Sequence, residues 1–218
     1  MNIVIFGPPG AGKGTQADNL VKNCKLFKIS TGDLLREEIK KKTKLGIQIS
    51  SSISQGSFVK DDIIDNLIEN IISNTANQNR MIFDGYPRNL NQAKKLDLLL
   101  NKHNQKIFSV ISLNVDKEIV VKRILGRVVC LKCGSTFNKF FNSPKEINHK
   151  CESKHLITRS DDNEKTILKR FDTYEKETFP ILNYYKKQNL LTNIDGMNKI
   201  DEIYKEIRQI MASLKTWL

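Results

Sequence analysis

The most constraining stretch of the chain is Gly7-Pro8-Pro9-Gly10-Ala11-Gly12-Lys13-Gly14-Thr15. It follows the apolar run Ile3-Val4-Ile5-Phe6 and precedes a helical pattern that begins near Gln16. A strand, a glycine-rich turn and a helix, with a lysine closing the turn, make up what a phosphate loop needs. Glycines let backbone N–H groups turn inward around a polyphosphate. The following helix points its positive end at the anion, and Lys13 can reach the outer phosphates. The general pattern puts a hydroxyl directly after the lysine. Here Gly14 intervenes and Thr15 carries the hydroxyl. A turn with no ligand would account for the glycines but not for the lysine at this place.

The chain has 218 residues, 39% of them hydrophobic, enough for one main domain with a sizeable core and insertions. The net charge of +12 attracts anions, and free nucleotides qualify as well as nucleic acid. The lysines are spread along the chain, as at Lys40-Lys41-Lys42, Lys94-Lys95 and Lys186-Lys187, which suits solvated helix faces. No apolar run approaches bilayer length. The N-terminus enters a strand without the segments of a signal peptide. Cys130-x-x-Cys133 and Cys151 cluster while Cys24 stands alone, so a reduced, cytoplasmic protein with a metal site fits better than a disulfide framework.

Apolar runs alternate with helical patterns, which predicts an α/β fold on a parallel sheet. The expected strands are Asn2–Gly7, Phe27–Ser30, Arg80–Asp84, Ile107–Val115 and Leu190–Asp195, several of them apolar throughout, as strands covered on both faces are. Between the second and third fit three helices, Thr31–Lys42, Leu45–Gln55 and Asp61–Ser73, more than one crossover needs. A longer interruption from Gly126 to Asp162 holds the cysteine cluster and short β-like runs, and reads as a small lid. A helix over Asp161–Thr178 follows, with Ile167, Phe171 and Tyr174 on one face and Pro180 as its stop.

Three groups of residues carry chemistry. Thr31 lies at a helix mouth with Arg36 five residues on, a pairing that suits a second anion; alone, Thr31 would be a helix cap. Asp84 ends an apolar strand, where a carboxylate can help hold a metal ion beside a phosphate loop. Gly85 permits close backbone approach, Arg88 offers a bidentate fork, and Gln92 lies one turn further on. Arg123, Arg127, Arg159 and Arg170 then accumulate. With Lys13, Arg36 and Arg88 they exceed what one triphosphate needs and suit two nucleotides with charge spread over a phosphoryl group in flight. Asp161 with Glu164 has the spacing of a capping box, and Asp161 and Asp162 can also hold the lid arginines in register.

Taken in order, GPPGAGKGTQA at 7–17, ISTGDLLR at 29–36, DGYPRNLNQA at 84–93, KRILGR at 122–127, TRSDDNE at 158–164 and KRF at 169–171 resemble the adenylate kinases, in particular the bacterial long form. The resemblance covers essentially the whole chain. It implies a phosphate-loop nucleoside-monophosphate kinase: a five-stranded parallel sheet flanked by helices, with a core of residues 1–29, 60–125 and 164–218, an AMP-binding domain at 30–59 and a lid at 126–163. On the ATP side it implies Gly10, Ala11, Gly12, Lys13, Gly14, Thr15, Arg123, Arg127, Thr136, Phe137 and Asn198. On the AMP side it implies Thr31, Arg36, Ser57, Phe58, Val59, Gly85, Arg88 and Gln92, with Arg159 and Arg170 bridging the two phosphate groups. Asp84 would serve Mg²⁺, through water. Lys13, Arg88, Arg123, Arg127, Arg159 and Arg170 would stabilise the reacting phosphates. The partners would be ATP, AMP and ADP, with no nucleic acid or membrane, and the family is usually monomeric.

The sequence departs from that pattern in the lid. Zinc-bearing members carry a second Cys-x-x-Cys or Cys-x-x-Asp pair, whereas here Lys154 stands at the fourth place in Cys151-Glu152-Ser153-Lys154-His155. Cys130, Cys133, Cys151 and His155 would still make a Cys3His structural zinc site. His149 is the rival fourth ligand, and a metal-free lid is the alternative to both. Asn198 stands near a position where the family often has lysine. Outside this reading, a kinase for UMP or CMP, a GTP-dependent enzyme, and a non-catalytic zinc-bearing nucleotide- or RNA-binding module are the rivals.

Overall fold

The computed structural model describes residues 1–55, 59–146 and 148–215. Five parallel strands form the main sheet: β1 (Asn2–Phe6), β2 (Phe27–Ser30), β3 (Met81–Asp84), β4 (Ile107–Asn114) and, last in the chain, β8 (Leu191–Asp195). Their spatial order is β2-β3-β1-β4-β8, which puts β1 at the centre and the phosphate loop in the middle of the sheet's C-terminal edge. The observed strands match the expected ones to within a residue at each end.

Alternation within β1 shows why the runs are apolar throughout. Val4 and Phe6 face one core with Ile29, Phe83 and Val110, packed under α4 (Asp61–Ile72), α5 (Leu90–Lys102) and α8 (Phe179–Lys186). Ile3 and Ile5 face the other, where α1 (Lys13–Cys24) and α9 (Ile200–Lys215) bring Ala17, Leu20, Ile203 and Ile207. Both sheet faces are covered, so neither parity of the strand can be polar. Register places Asp84 beside Ile5 on one side and Ser30 on the other, so the ends of β1, β2 and β3 converge on one place.

Between β2 and β3 run α2 (Thr31–Lys40), α3 (Lys44–Ser54) and α4. α6 (Lys117–Leu125) leads from β4 into a separate antiparallel sheet of β5 (Arg127–Cys130), β6 (Thr136–Asn138) and β7 (Leu156–Ile157), ordered β6-β5-β7.

The long helix differs from expectation at both ends. α7 spans Glu164–Thr173, and its cap is Asn163, whose Oδ1 accepts from the Thr166 N–H at 3.0 Å. Asp161 is not the cap: Asn163, directly before the first helical residue, supplies the acceptor, and Asp161 and Asp162 turn to arginines instead. Pro180 does not stop the helix. Tyr174–Thr178 widen into a π turn and α8 starts at Phe179, with Pro180 in its first turn. There the missing proline N–H is an end group that needs no partner.

Candidate active site

The phosphate loop is built by backbone conformation. Gly10 has φ +82°, and a Cβ added to it would lie 2.7 Å from Ile124 Cγ1 and 3.1 Å from the Val120 carbonyl, so the loop closes onto α6 only with glycine there. Gly12 caps α1 in the left-handed region, with no side chain on the first-turn N–H groups and no acidic residue in that turn. Those N–H groups are open to an anion. Lys13 Nζ donates to the Gly7 carbonyl at 2.7 Å and the Pro8 carbonyl at 3.0 Å, folding back over the loop. Burial lowers its pKa to about 8; the Asp84 charge opposes this, and Arg170, Arg88 and Arg127 add to the lowering.

Asp84 is nearly buried, and its carboxyl is pushed above its usual range by burial, against the charges of Lys13 and Lys28. Across the sheet edge stands Asp33 on α2. Burial raises its pKa, but the Arg36 charge and hydrogen bond, with Lys28 and Arg159 behind them, bring it down to about 2. Carboxylate oxygens beside a phosphate site are the hard donors that suit Mg²⁺, directly or through water.

The second half of the site lies toward α2 and α5. Thr31 is buried, and its hydroxyl donates to the Gly85 carbonyl at 2.7 Å. It is not the helix cap: Ser30 holds that position. Arg36 pairs with Asp33 at 2.5 Å. Arg88 Nε donates to the same Gly85 carbonyl at 2.8 Å, and its backbone N–H donates to Gln92 Oε1 at 2.7 Å. Gln92 Nε2 in turn donates to Asp61 Oδ1 at 2.6 Å. Both ends of the Gln92 amide therefore have protein partners, and the residue fixes the Arg88 backbone against α4. Asp61 was not singled out in the sequence, because nothing local connects it to a glutamine 31 residues away. Val59 is buried against this half, and Gly85 has φ +78°. Ser57 and Phe58 lie outside the described residues.

The remaining arginines are aimed by acceptors. Arg127 makes a two-pronged pair with Asp162, whose side chain is fully buried; one prong is Nε to Oδ2 at 2.8 Å and the other joins Nη2 to Oδ1. Arg170 Nη1 donates to Asp161 Oδ2 at 2.9 Å. Breaking a buried pair of this kind from one side costs about 3–5 kcal/mol, because the other charge stays behind without a counterion. Arg159 reaches Asp33 at 3.9 Å, and Arg123 donates to the Gly196 carbonyl at 2.9 Å. Burial and mutual repulsion bring Arg88 and Arg159 down to about 10 and lower Arg170 too. An anion among them reverses each of those shifts.

Lys13, Arg36, Asp84, Arg88, Arg127 and Arg170 line one cleft of about 1420 Å³, which also takes in Thr136, Phe137 and Asn198, while Asp61 and Asp162 stand behind its wall. That exceeds the roughly 300–1,000 Å³ of a single small-ligand pocket. The Phe137 ring itself packs on His149, with centroids 4.6 Å apart.

In the small sheet, Cys130, Cys133, Cys151 and His149 bring their ligand atoms within 4.8 Å of one another. His149 Nε2 lies 3.4 Å from Cys133 Sγ. Three thiols and an imidazole at this separation fit a structural zinc ion. The expectation for His155 is corrected: it is not in the group. It ends a short 3-10 turn beside β7, where its carbonyl accepts from the Leu131 N–H at 2.8 Å. That backbone bond joins the β5 end to the β7 start and fixes His155 at the strand edge. Hydrogen bonding with Ser135, and then with His149, holds the Cys133 thiol down at about 6, the side on which a metal-ligating thiolate belongs.

A phosphate loop after the central strand of a five-stranded parallel sheet, with Arg36, Arg88, Arg127 and Arg170 lining the same cleft, has the form of a phosphate-loop kinase of nucleoside monophosphates. A family model described as adenylate kinase matches residues 5–190. The chain belongs to the adenylate kinase family. It is 48% identical over 211 residues to an adenylate kinase of Pelagibacter ubique, covering 97% of this chain and 99% of that one. It is 44% identical over 216 residues to one from Chloroherpeton thalassium, covering 98% and 99%. With one from Methanosarcina barkeri it shares 39% identity over 213 residues, covering 97% and 98%. The reaction is reversible phosphoryl transfer, ATP + AMP giving two ADP, with Mg²⁺ accompanying ATP.

Proposed function

We propose that the Gly10–Thr15 loop with Lys13, Arg123, Arg127, Thr136, Phe137 and Asn198 holds ATP, and that Thr31, Arg36, Ser57, Phe58, Val59, Gly85, Arg88 and Gln92 hold AMP. The observation that carries this reading is the placement of two anion-binding halves in one cleft, with Arg159 and Arg170 beside both. Lys13 draws negative charge off the outer ATP phosphates, while Arg88, anchored through Gly85 and Gln92, orients the acceptor phosphate. Asp161 and Asp162 keep Arg170 and Arg127 aimed before substrate arrives, so little reorganisation remains for the transfer itself. Asp84 would help hold the Mg²⁺ that accompanies ATP, which would supply shielding of the phosphate charge. Residues 30–59 act as the AMP-binding domain and 126–163 as the lid, closing on the core (1–29, 60–125 and 164–218) to exclude water, which favours AMP over hydrolysis.

The protein works as a cytoplasmic monomer. Among the described residues, no helix is long and apolar enough to cross a membrane. A coupled ADP assay across AMP, CMP, UMP and GMP with ATP as donor tests the acceptor assignment. AMP is expected to exceed the other three by at least about a hundredfold in kcat/KM, the scale set by base-specific hydrogen bonds. Comparable rates with CMP or UMP would overturn the assignment.

A further inference from the structure

Lys28 is the second residue of β2, and its side chain is only 19% exposed. Its ammonium reaches carboxylates from three elements: Asp18 of α1 at 2.8 Å, Asp33 of α2 at 3.6 Å and Asp84 at the end of β3 at 4.0 Å. It also lies 3.9 Å from where a Cβ of Gly14 would stand, so this cation sits beside the first turn of the phosphate-loop helix. Other cations reach two of these carboxylates: Lys13 acts on Asp84, and Arg36 and Arg159 act on Asp33.

Three carboxylates converging beside a phosphate loop would repel one another and collect a divalent cation if nothing neutralised them. An ammonium is a compact point charge with three donors, able to serve several carboxylates at once. We propose that Lys28 is a positioning residue that stands in for a cation among Asp18, Asp33 and Asp84, keeps bare divalent metal out of the nucleotide-free site, and yields Asp84 and Asp33 when the metal arrives on ATP. The distances set the order of release. The Asp18 contact is the shortest and stays, while the contacts at 3.6 and 4.0 Å are given up. Burial works against the ammonium, but the Asp18 bond and the three negative charges outweigh it and raise its pKa, so it stays charged through the exchange. This inference rests on the assignment of Asp84 to Mg²⁺ made above.

The test is Mn²⁺ binding to the nucleotide-free protein, read by electron paramagnetic resonance as loss of the free-ion signal. Wild type and Lys28→Arg are expected to bind weakly, whereas Lys28→Gln and Lys28→Met gain one site at least about tenfold tighter, the result of removing a positive charge some 4 Å from two carboxylates. Adding Asp84→Asn to Lys28→Gln is expected to abolish the gained site. Thermal melts confirm that each variant is folded, and Lys28→Met serves if Lys28→Gln is not. Titrations of the folded neutral variants that superimpose on wild type would overturn the proposal. Mn-ATP binding to wild type, measured alongside, tests the nucleotide-site reading separately: its absence would count against that reading, not against the role of Lys28.

Discussion

Replacing Lys13 with alanine is expected to lower turnover about a thousandfold while leaving the fold intact. Removing one preorganised donor from a developing anion costs about 10²–10³ in kcat, and in the proposed site Lys13 would act on charge spread over several phosphate oxygens. Its Nζ is held by the Gly7 and Pro8 carbonyls at 2.7 and 3.0 Å, so it is poised at the loop before nucleotide arrives. Gly7 and Pro8 are buried, so in the variant their carbonyls lose a donor and a modest fall in melting temperature is expected, with folding still cooperative. Steady-state kinetics with a parallel melt checks both. A loss of less than about tenfold would contradict the phosphate-loop assignment. The same residue gives a pH signature. Burial holds its pKa at about 8 in the nucleotide-free protein, and phosphate raises it. The Lys13 contribution to ATP binding is therefore complete below about pH 8 and is lost as pH rises through the pKa of the complex. Binding near pH 8.5 takes up protons, which calorimetry in buffers of different ionisation enthalpy measures directly.

Loss of the lid metal is expected to have the second large effect. The small sheet has strands of two to four residues, and its buried apolar side chains include only Val128, Cys130 and Phe137. Such a unit does not order itself without a staple. Purified protein is expected to carry one zinc per chain, and His149→Ala to lose it along with roughly 10 °C of melting temperature, the shift that about 3–5 kcal/mol produces in a protein of this size. His155→Ala should keep both metal and stability. Elemental analysis beside a thermal melt reads the outcome. Zinc retained in His149→Ala and lost in His155→Ala would restore the other ligand set.

These two sites differ in how far the sequence alone exposed them. The phosphate loop is local: every group that matters lies within nine consecutive residues, and strand and helix flank it. The five strands were legible for a related reason, since burial on both faces makes Ile3-Val4-Ile5-Phe6 apolar at every position. The fourth zinc ligand was not legible. The Cys-x3-His spacing points to His155, with His149 the rival, and what separates them is the register of β5 against β7 together with the Phe137 ring that His149 packs on. Asp161 reads as a helix cap because a capping box has the same spacing, and the reading that Asp161 and Asp162 also hold the lid arginines could not say which arginine each takes. Their arginines lie 9 and 35 residues away, and only the fold brings them together. The same limit hid Lys28 and Asp61, ordinary charged residues until β2, α1, α4 and α5 are placed side by side. Pro180 misled for the opposite reason. A local rule predicted a stop, and the chain met it with a π turn.

Direct transfer between a donor half and an acceptor half of one cleft, closed against water, is what the proposed site predicts. Its most direct test is the fate of the terminal phosphate of γ-labelled ATP incubated with AMP, Mg²⁺ and the protein. The expected result is label in the β-phosphate of ADP formed from AMP, with free phosphate at background. Label released as inorganic phosphate at a rate comparable to ADP formation, or transfer that does not depend on AMP, would contradict it.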